Sequence, residues 1–82
     1  MSSNRVVMTD WVLNALKSLG GKATIVEVAK VVWKDNRPTI EKSGDMLYTW
    51  QYDLRWAADI LRRQGHLRPT SHVDRGVWEL AY

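Results

Sequence analysis

The sequence has 82 residues, with 12 basic and 9 acidic side chains, a formal net charge of +3, five Trp, three Tyr and no Cys. The absence of Cys excludes disulfide bonds, thiolate zinc sites and a Cys nucleophile, and no apolar run approaches the roughly 18 residues of a membrane span. We therefore expect one soluble, cytoplasmic domain over residues 1–82, without membrane association. The positive charge is mild and raises the expectation of a nucleic-acid partner only slightly.

The first helix is predicted to begin at Thr9. Residues 1–8 show no capping residue and no sustained period, so we expect a frayed N-terminal segment there. Thr9 is a favourable N-cap, and the carboxylate of Asp10 suits the first turn of a helix. Apolar residues at helical spacing follow: Trp11, Val12, Ala15, Leu16 and Leu19.

The second helix is predicted to begin after a capping box. Gly20-Gly21 ends the first helix, and Lys22-Ala23 is expected to form a very short strand. Thr24 precedes Glu27 by three residues, the spacing at which the hydroxyl and the carboxylate each accept from the other residue's backbone amide. One helical face is then apolar: Ile25, Val28, Ala29, Val32 and Trp33.

A third helix is predicted from Trp50 to Gln64, after a polar connector over residues 35–46 that contains Pro38 and Gly44. At about 100° per residue, one side of this helix is apolar and is expected to face the core: Trp50, Leu54, Ala57, Ala58 and Leu61. The opposite side carries, in its first two turns, Tyr48, Gln51, Tyr52 and Arg55. Gly65 is expected to end the helix.

Residues 66–80 are predicted to form a two-stranded β-hairpin. Its apolar positions are Leu67, Val77, Trp78 and Leu80, and its polar turn lies between Ser71 and Gly76. Arg68 is expected on the first strand, with His72 and Arg75 near the tip. The fold class is therefore α+β, a winged helix-turn-helix of three helices followed by a two-stranded β-hairpin wing.

This order of elements predicts a binding surface for double-stranded DNA. A recognition helix places its first turns against base edges in the major groove, where Arg bonds guanine, Gln bonds adenine and Tyr contacts a phosphate or a thymine methyl. The wing commonly lies over the minor groove, where a narrow A·T-rich groove attracts Arg electrostatically. The candidate DNA-binding residues are Tyr48, Gln51, Tyr52, Arg55, Arg62, Arg68, His72 and Arg75.

Two other interpretations of the third helix stay open. The exposed side is equally typical of a solvated helix face, with Tyr48 and Tyr52 packed beneath the connector. It also suits a protein–protein docking module that binds no nucleic acid, because the charge is mild and the face is aromatic. Salt dependence separates DNA binding from docking.

The sequence gives no sign of catalysis or of a bound cofactor. His66, His72 and Asp74 do not follow a metal-ligand spacing, and no Cys supports a metal site. The chain has no Ser-His-Asp context and no Gly-rich phosphate loop. We therefore expect no enzymatic activity, no metal and no cofactor.

Several short segments resemble a known family in their order and spacing: Val12–Leu16, Leu19–Gly21, Arg55–Ala57, Leu61-Arg62, Gly65–Leu67 and Arg75–Trp78. Over residues 9–80 they are similar to the N-terminal winged-helix domain of Mrr-type restriction endonucleases. The resemblance implies a DNA-binding domain of a restriction or defence system, with a nuclease domain or a partner protein. In that family the nuclease follows the winged helix, whereas this sequence stops at Tyr82. Two interpretations stay open: an excised domain, or a standalone protein that binds DNA without cutting it.

Overall fold

The computed structural model describes residues 4–82, which form three helices and a small antiparallel sheet. In chain order the elements are α1 (Asn4–Ser18), β1 (Lys22–Thr24), α2 (Ile25–Lys42), α3 (Met46–Arg63), a 3-10 helix (Thr70–His72) and β2 (Val77–Glu79). β1 pairs with β2, with Ala23 opposite Trp78. The predicted α+β class with three helices is confirmed, and the layout is compatible with a winged helix. Among the described helices, none is both long and apolar enough to cross a membrane.

The core lies chiefly between α1 and α3. Its buried members are Met8, Val12, Ala15 and Leu16 of α1, Val28 and Val32 of α2, Leu54, Ala57, Ala58 and Leu61 of α3, and Ala23, Leu67, Trp78 and Leu80 from the sheet region. Ala57 and Ala58 are at most 1% exposed. Their small side chains let another helix approach the backbone of α3 closely, and the larger side chains around them fill the remaining space.

The predicted frayed segment over residues 1–8 is wrong for its described part, because α1 begins at Asn4. Residues 1–3 lie outside the described residues. Met8 is fully buried, one helical turn before Val12, so the apolar stripe starts earlier than the sequence indicated. Thr9 is a helical residue rather than the N-cap, and its hydroxyl donates to the carbonyl oxygen of Val6 at 2.6 Å.

The predicted boundaries around β1 are confirmed. Gly20 and Gly21 have φ angles of +89° and +92°, a left-handed conformation that glycine adopts without steric cost, and α1 ends just before them. The predicted capping box also forms: the Glu27 amide donates to the Thr24 hydroxyl at 3.1 Å, and the Thr24 amide donates to the Glu27 carboxylate at 2.8 Å.

The predicted connector over residues 35–46 is wrong, because α2 continues to Lys42 and contains Pro38. Pro38 removes one backbone hydrogen bond, at a cost of about 3 kcal/mol in a helix interior. The fully buried side chain of Ile40 offsets about 1.5–3 kcal/mol of that cost, and Arg37 forms an ion pair with Glu41 one turn away. The turn into α3 is therefore short, and α3 begins at Met46 rather than at Trp50.

The predicted hairpin over residues 66–80 is wrong in its pairing. β2 forms its strand pair with β1, across the domain. The segment that follows α3 meets the C-terminal segment at a single bridge, between Leu67 and Leu80. The sheet is therefore anchored to the N-terminal half of the chain, and the extended first hairpin strand is reduced to one residue pair.

The bridge between Leu67 and Leu80 ends where the chain turns away from β2 after Arg68. The Arg68 amide donates to the Glu79 carbonyl oxygen at 2.9 Å, and Pro69 follows as the residue before a 3-10 helix. The chain then turns into the 3-10 helix Thr70–His72. Residues 69–76, called the 69–76 loop below, replace the predicted hairpin tip.

Truncation of Met8 tests whether the start of α1 belongs to the core. We expect Met8→Ala to lower the free energy of unfolding by about 2–5 kcal/mol, because it removes buried methylenes and leaves a cavity. Val6→Ala is the matched control, since Val6 is 57% exposed and a surface change there should stay within about 0.5 kcal/mol. Chemical denaturation measures both, and equal small effects would contradict the packed α1.

The capping box predicts a pH dependence of stability. Acceptance of hydrogen bonds from the Thr24 backbone and side chain, together with the nearby Lys30, lowers the pKa of Glu27 below its ordinary value of 4.5. A lowered folded-state pKa stabilises the fold above the unfolded value, and this contribution is lost as the pH falls through the folded value. We expect wild type to exceed Glu27→Gln in unfolding free energy at neutral pH, with the difference shrinking below pH 4.5. A difference that stays constant with pH would contradict this role.

Candidate nucleic-acid interface

The four residues predicted to face outward from the start of α3 are all exposed. We call Tyr48, Gln51, Tyr52 and Arg55 the outward face of α3. Tyr48 is 86% exposed and Tyr52 is 60% exposed, so the interpretation in which both tyrosines pack beneath a connector is wrong. Tyr52 makes an edge-on contact with Trp56, at 6.3 Å between ring centroids. The opposite side of α3 is buried in the core and fixes the orientation of the helix, so the outward face is accessible to a partner.

Ion pairs along α3 leave Arg55 uncommitted. Asp59 lies one turn after Arg55 but pairs instead with Arg63 at 2.8 Å and with Arg62 at 3.6 Å. Among the described residues Arg55 forms no ion pair. Its guanidinium can therefore pair with a ligand without first losing an internal partner, whereas Arg62 and Arg63 are partly neutralised.

A cavity of about 550 Å³, called the α2–α3 cavity, adjoins the outward face. Gln51 and Arg55 line it from α3, and Val26 and Lys30 line it from α2. Neither of these α2 residues was among the predicted site residues. Val26, Lys30 and Trp33 recur at i, i+4 and i+7, a helical stripe that could have indicated a second partly exposed face once the capping box had fixed the phase of α2.

Two stacked tryptophans form one wall of the α2–α3 cavity. The rings of Trp33 and Trp50 lie 5.4 Å apart between centroids with an interplanar angle of 22°, and Arg37 lies over the Trp33 ring at 5.5 Å. Trp50 was predicted to face the core and Trp33 to lie on the apolar face of α2, and both are only partly buried. The stack joins α2 to α3, and these two helices form the two sides of the cavity. The ring contact therefore fixes their relative position.

A second, smaller cavity of about 340 Å³, called the α3–loop cavity, brings Arg62 and Arg75 to one place. Arg75 is exposed in the 69–76 loop, next to Asp74, which also lines the cavity. Arg62 is 23% exposed at its side chain, and its Nε has no hydrogen-bond partner among the described residues. Ile25, the first residue of α2, lines both cavities, so the two meet at the start of that helix.

Arg68 and His72 are not brought to this surface. Neither residue is among those that line the two cavities. Arg68 lies 3.5 Å from the Glu79 carboxylate, so its charge is partly neutralised. His72 is exposed at the end of the 3-10 helix. These two residues form the least supported part of the predicted site.

Further polar side chains near the interface have structural partners. Asp53 is only 7% exposed and accepts a hydrogen bond from the Thr49 hydroxyl at 3.0 Å; the α3 periodicity alone gave no reason to expect this burial. His66 Nδ1 lies 3.1 Å from the Tyr82 hydroxyl. Within residues 4–82, no three His, Cys, Asp or Glu side chains are placed to hold a metal ion together.

Comparisons with known proteins yield no relative: no protein-family model, no curated protein and no solved structure matches the chain. The resemblance to Mrr-type endonucleases therefore stays a prediction. The interpretation of the interface rests on the geometry described above.

A double-mutant cycle tests the tryptophan stack that supports the α2–α3 cavity. We expect Trp33→Leu and Trp50→Leu to show a coupling of about 0.5–1.5 kcal/mol in unfolding free energy, because each substitution removes the same ring contact. Chemical denaturation of the two single variants and the double variant gives this value. Losses that add within about 0.3 kcal/mol would contradict the stacked arrangement.

Proposed function

We propose that this chain is a double-stranded DNA-binding module of winged-helix type that places the outward face of α3 in the major groove. The observation that carries the proposal is the exposed Gln51–Arg55 pair in the second and third turns of α3, where Arg55 forms no ion pair among the described residues. A helix with one buried side and an exposed side bearing Arg and Gln is suited to direct contact with base edges.

The side chains of the outward face supply distinct contacts. Arg55 can bond guanine bidentately and Gln51 can bond adenine, and each such pair contributes about 1–3 kcal/mol of discrimination against the wrong base. Tyr48 and Tyr52, both largely exposed, can donate to phosphates or pack on thymine methyl groups. The proposed specificity therefore lies in Gln51 and Arg55.

Contacts to the DNA backbone are proposed from both sides of α3. Lys30 stands on the α2 side of the outward face, and Arg62 and Arg75 stand on the side of the 69–76 loop. Arg75 is the residue best placed to reach a minor groove, where Arg is attracted by the narrow A·T-rich geometry. We assign smaller contributions to Arg68, because of its Glu79 partner, and to His72.

The biological setting is proposed from the resemblance alone. The chain would be the cytoplasmic targeting part of a restriction or defence system, bringing a nuclease domain or a partner protein to DNA. We propose no catalysis by the 82 residues themselves. Binding would be modest, since the net charge is +3 and Asp59 and Asp74 lie among the basic residues.

A protein-docking module is the second candidate, favoured by one observation. Val26 is 62% exposed at the edge of an open cavity that also has aromatic walls. An apolar docking surface of this kind would bind with little dependence on salt. DNA binding releases counterions, and three phosphate contacts from Lys30, Arg62 and Arg75 would give a log–log salt slope of about −2.7.

Arg55→Ala tests the proposed DNA contact. We expect it to weaken binding to a labelled duplex by about fivefold or more, because it removes a charged contact to DNA. Lys17→Ala is the matched control, since Lys17 is an exposed cation in the last turn of α1 that lines neither cavity. Fluorescence anisotropy at low and moderate salt measures both. Equal losses for the two variants would overturn the role of α3, and no binding of the duplex even at low salt would favour docking.

A further inference from the structure

The α2–α3 cavity has the size and lining of a small-molecule site. Its volume of about 550 Å³ lies within the range of about 300–1,000 Å³ that is usual for such sites. Ala29 and Leu54 contribute apolar surface, and the stacked pair Trp33 and Trp50 supplies an aromatic wall. Small-molecule sites typically combine such apolar lining with a few polar groups that orient the ligand.

The charged groups of the cavity all have one sign. Lys30 and Arg55 are the charged residues that line it, and Gln51 adds a neutral amide. Both cations are exposed. The carboxylate one helical turn after Arg55 is engaged elsewhere, because Asp59 pairs with Arg62 and Arg63. A neutral ligand would leave the two cations without a charged partner inside the cavity, and a cation would be repelled.

Glu27 is the acidic group that acts on Lys30, and it does so from outside the cavity. Its carboxylate accepts the Thr24 backbone N–H at 2.8 Å, and Lys30 contributes less to its lowered pKa than these Thr24 contacts do. Lys30 is thus attracted by Glu27 along α2, yet its ammonium group remains exposed at the cavity. A ligand anion can be added to this arrangement without displacing the capping box.

We infer that the α2–α3 cavity binds a small planar aromatic ring system that carries one carboxylate. The ring packs between the apolar residues and the tryptophan wall, which suits flat aromatic surfaces. The carboxylate pairs with the guanidinium of Arg55 and with Lys30 through charge-assisted hydrogen bonds. The Gln51 amide donates a further hydrogen bond.

Occupancy of this site has a consequence for DNA binding. Gln51 and Arg55 belong both to the cavity and to the outward face of α3, so a bound carboxylate would neutralise the cation that is proposed to contact guanine. The ligand would therefore compete with DNA. This competition rests on the proposed function, whereas the ligand site itself does not.

The first test uses naphthalene-2-carboxylate as the probe and 2-naphthalenemethanol as its neutral counterpart of similar shape. Each is titrated into the full chain, and the indole N–H signals of the five tryptophans are followed by NMR. We expect saturable shifts at Trp33 and Trp50, with the carboxylate bound about tenfold or more tightly than the alcohol, since hydrogen bonds to charged groups contribute about 1.5–3 kcal/mol. The absence of saturable shifts at these two signals, or equal affinities for the two probes, would overturn the inference.

Variants separate the anion site from the apolar site. Lys30→Gln and Arg55→Gln should each reduce the preference for the carboxylate and leave the alcohol affinity unchanged, whereas Ala29→Leu should weaken both probes by filling the cavity. Lys17→Gln is the control for a general loss of positive charge. If Ala29→Leu proves unfolded by circular dichroism, Lys30→Gln at the cavity edge still decides the matter: an unchanged preference in that variant would contradict the assigned anion contact.

A further experiment with DNA tests the ligand site and the proposed function separately. Anisotropy of a labelled duplex is measured with and without saturating probe. Displacement of the duplex by the carboxylate, but not by the alcohol at equal occupancy, supports the competition. Probe binding without any DNA binding upholds the ligand site and rejects the proposed function, whereas DNA binding without probe binding rejects the ligand site alone.

Discussion

The packing of α1 against α3 is the constraint on which the remaining structure depends. Ala57 and Ala58 are almost fully buried, and the apolar residues around them pack with Met8, Val12 and Leu16 of α1 in one core cluster. This contact fixes which side of α3 is buried, and therefore which side is exposed. The β1–β2 pair closes the same core through Ala23 and Trp78, so the two ends of the chain stabilise the helix that bears the candidate interface.

The boundaries of helices and strands were predicted correctly where they depend on interactions between residues close in sequence. The capping box at Thr24 and the glycine pair after α1 need only their own side chains and backbone conformations. The errors occur where distant packing outweighs local preference. Pro38 is a strong local signal for a helix end, yet burial of Ile40 carries α2 to Lys42. Met8 shows the same effect at the start of α1, because it belongs to a core cluster drawn from α2, α3 and the sheet region, and its burial cannot be inferred from its neighbours in sequence.

The candidate site was predictable in part for the same reason. Periodicity alone places Tyr48, Gln51, Tyr52 and Arg55 on the exposed side of one helix, and all four are exposed. It could not decide whether Asp59 pairs with Arg55 or with the arginines after it, since both spacings are favourable in a helix. Because Asp59 pairs with Arg62 and Arg63, Arg55 is available to a ligand. The α2–α3 cavity depends on how two helices meet, and the pairing of β2 with β1 depends on contacts far apart in sequence; neither is encoded in a local pattern.

Backbone amide mapping would show whether the outward face of α3 contacts DNA, as we propose. An ¹⁵N-labelled sample would be titrated with an unlabelled duplex at low salt, and the amide shifts would be compared along the chain. We predict saturable shifts concentrated in residues 48–55, Lys30 and Arg75, with residues 14–17 of α1 unaffected. Shifts confined to other surfaces, or no saturable shifts at all, would contradict the account.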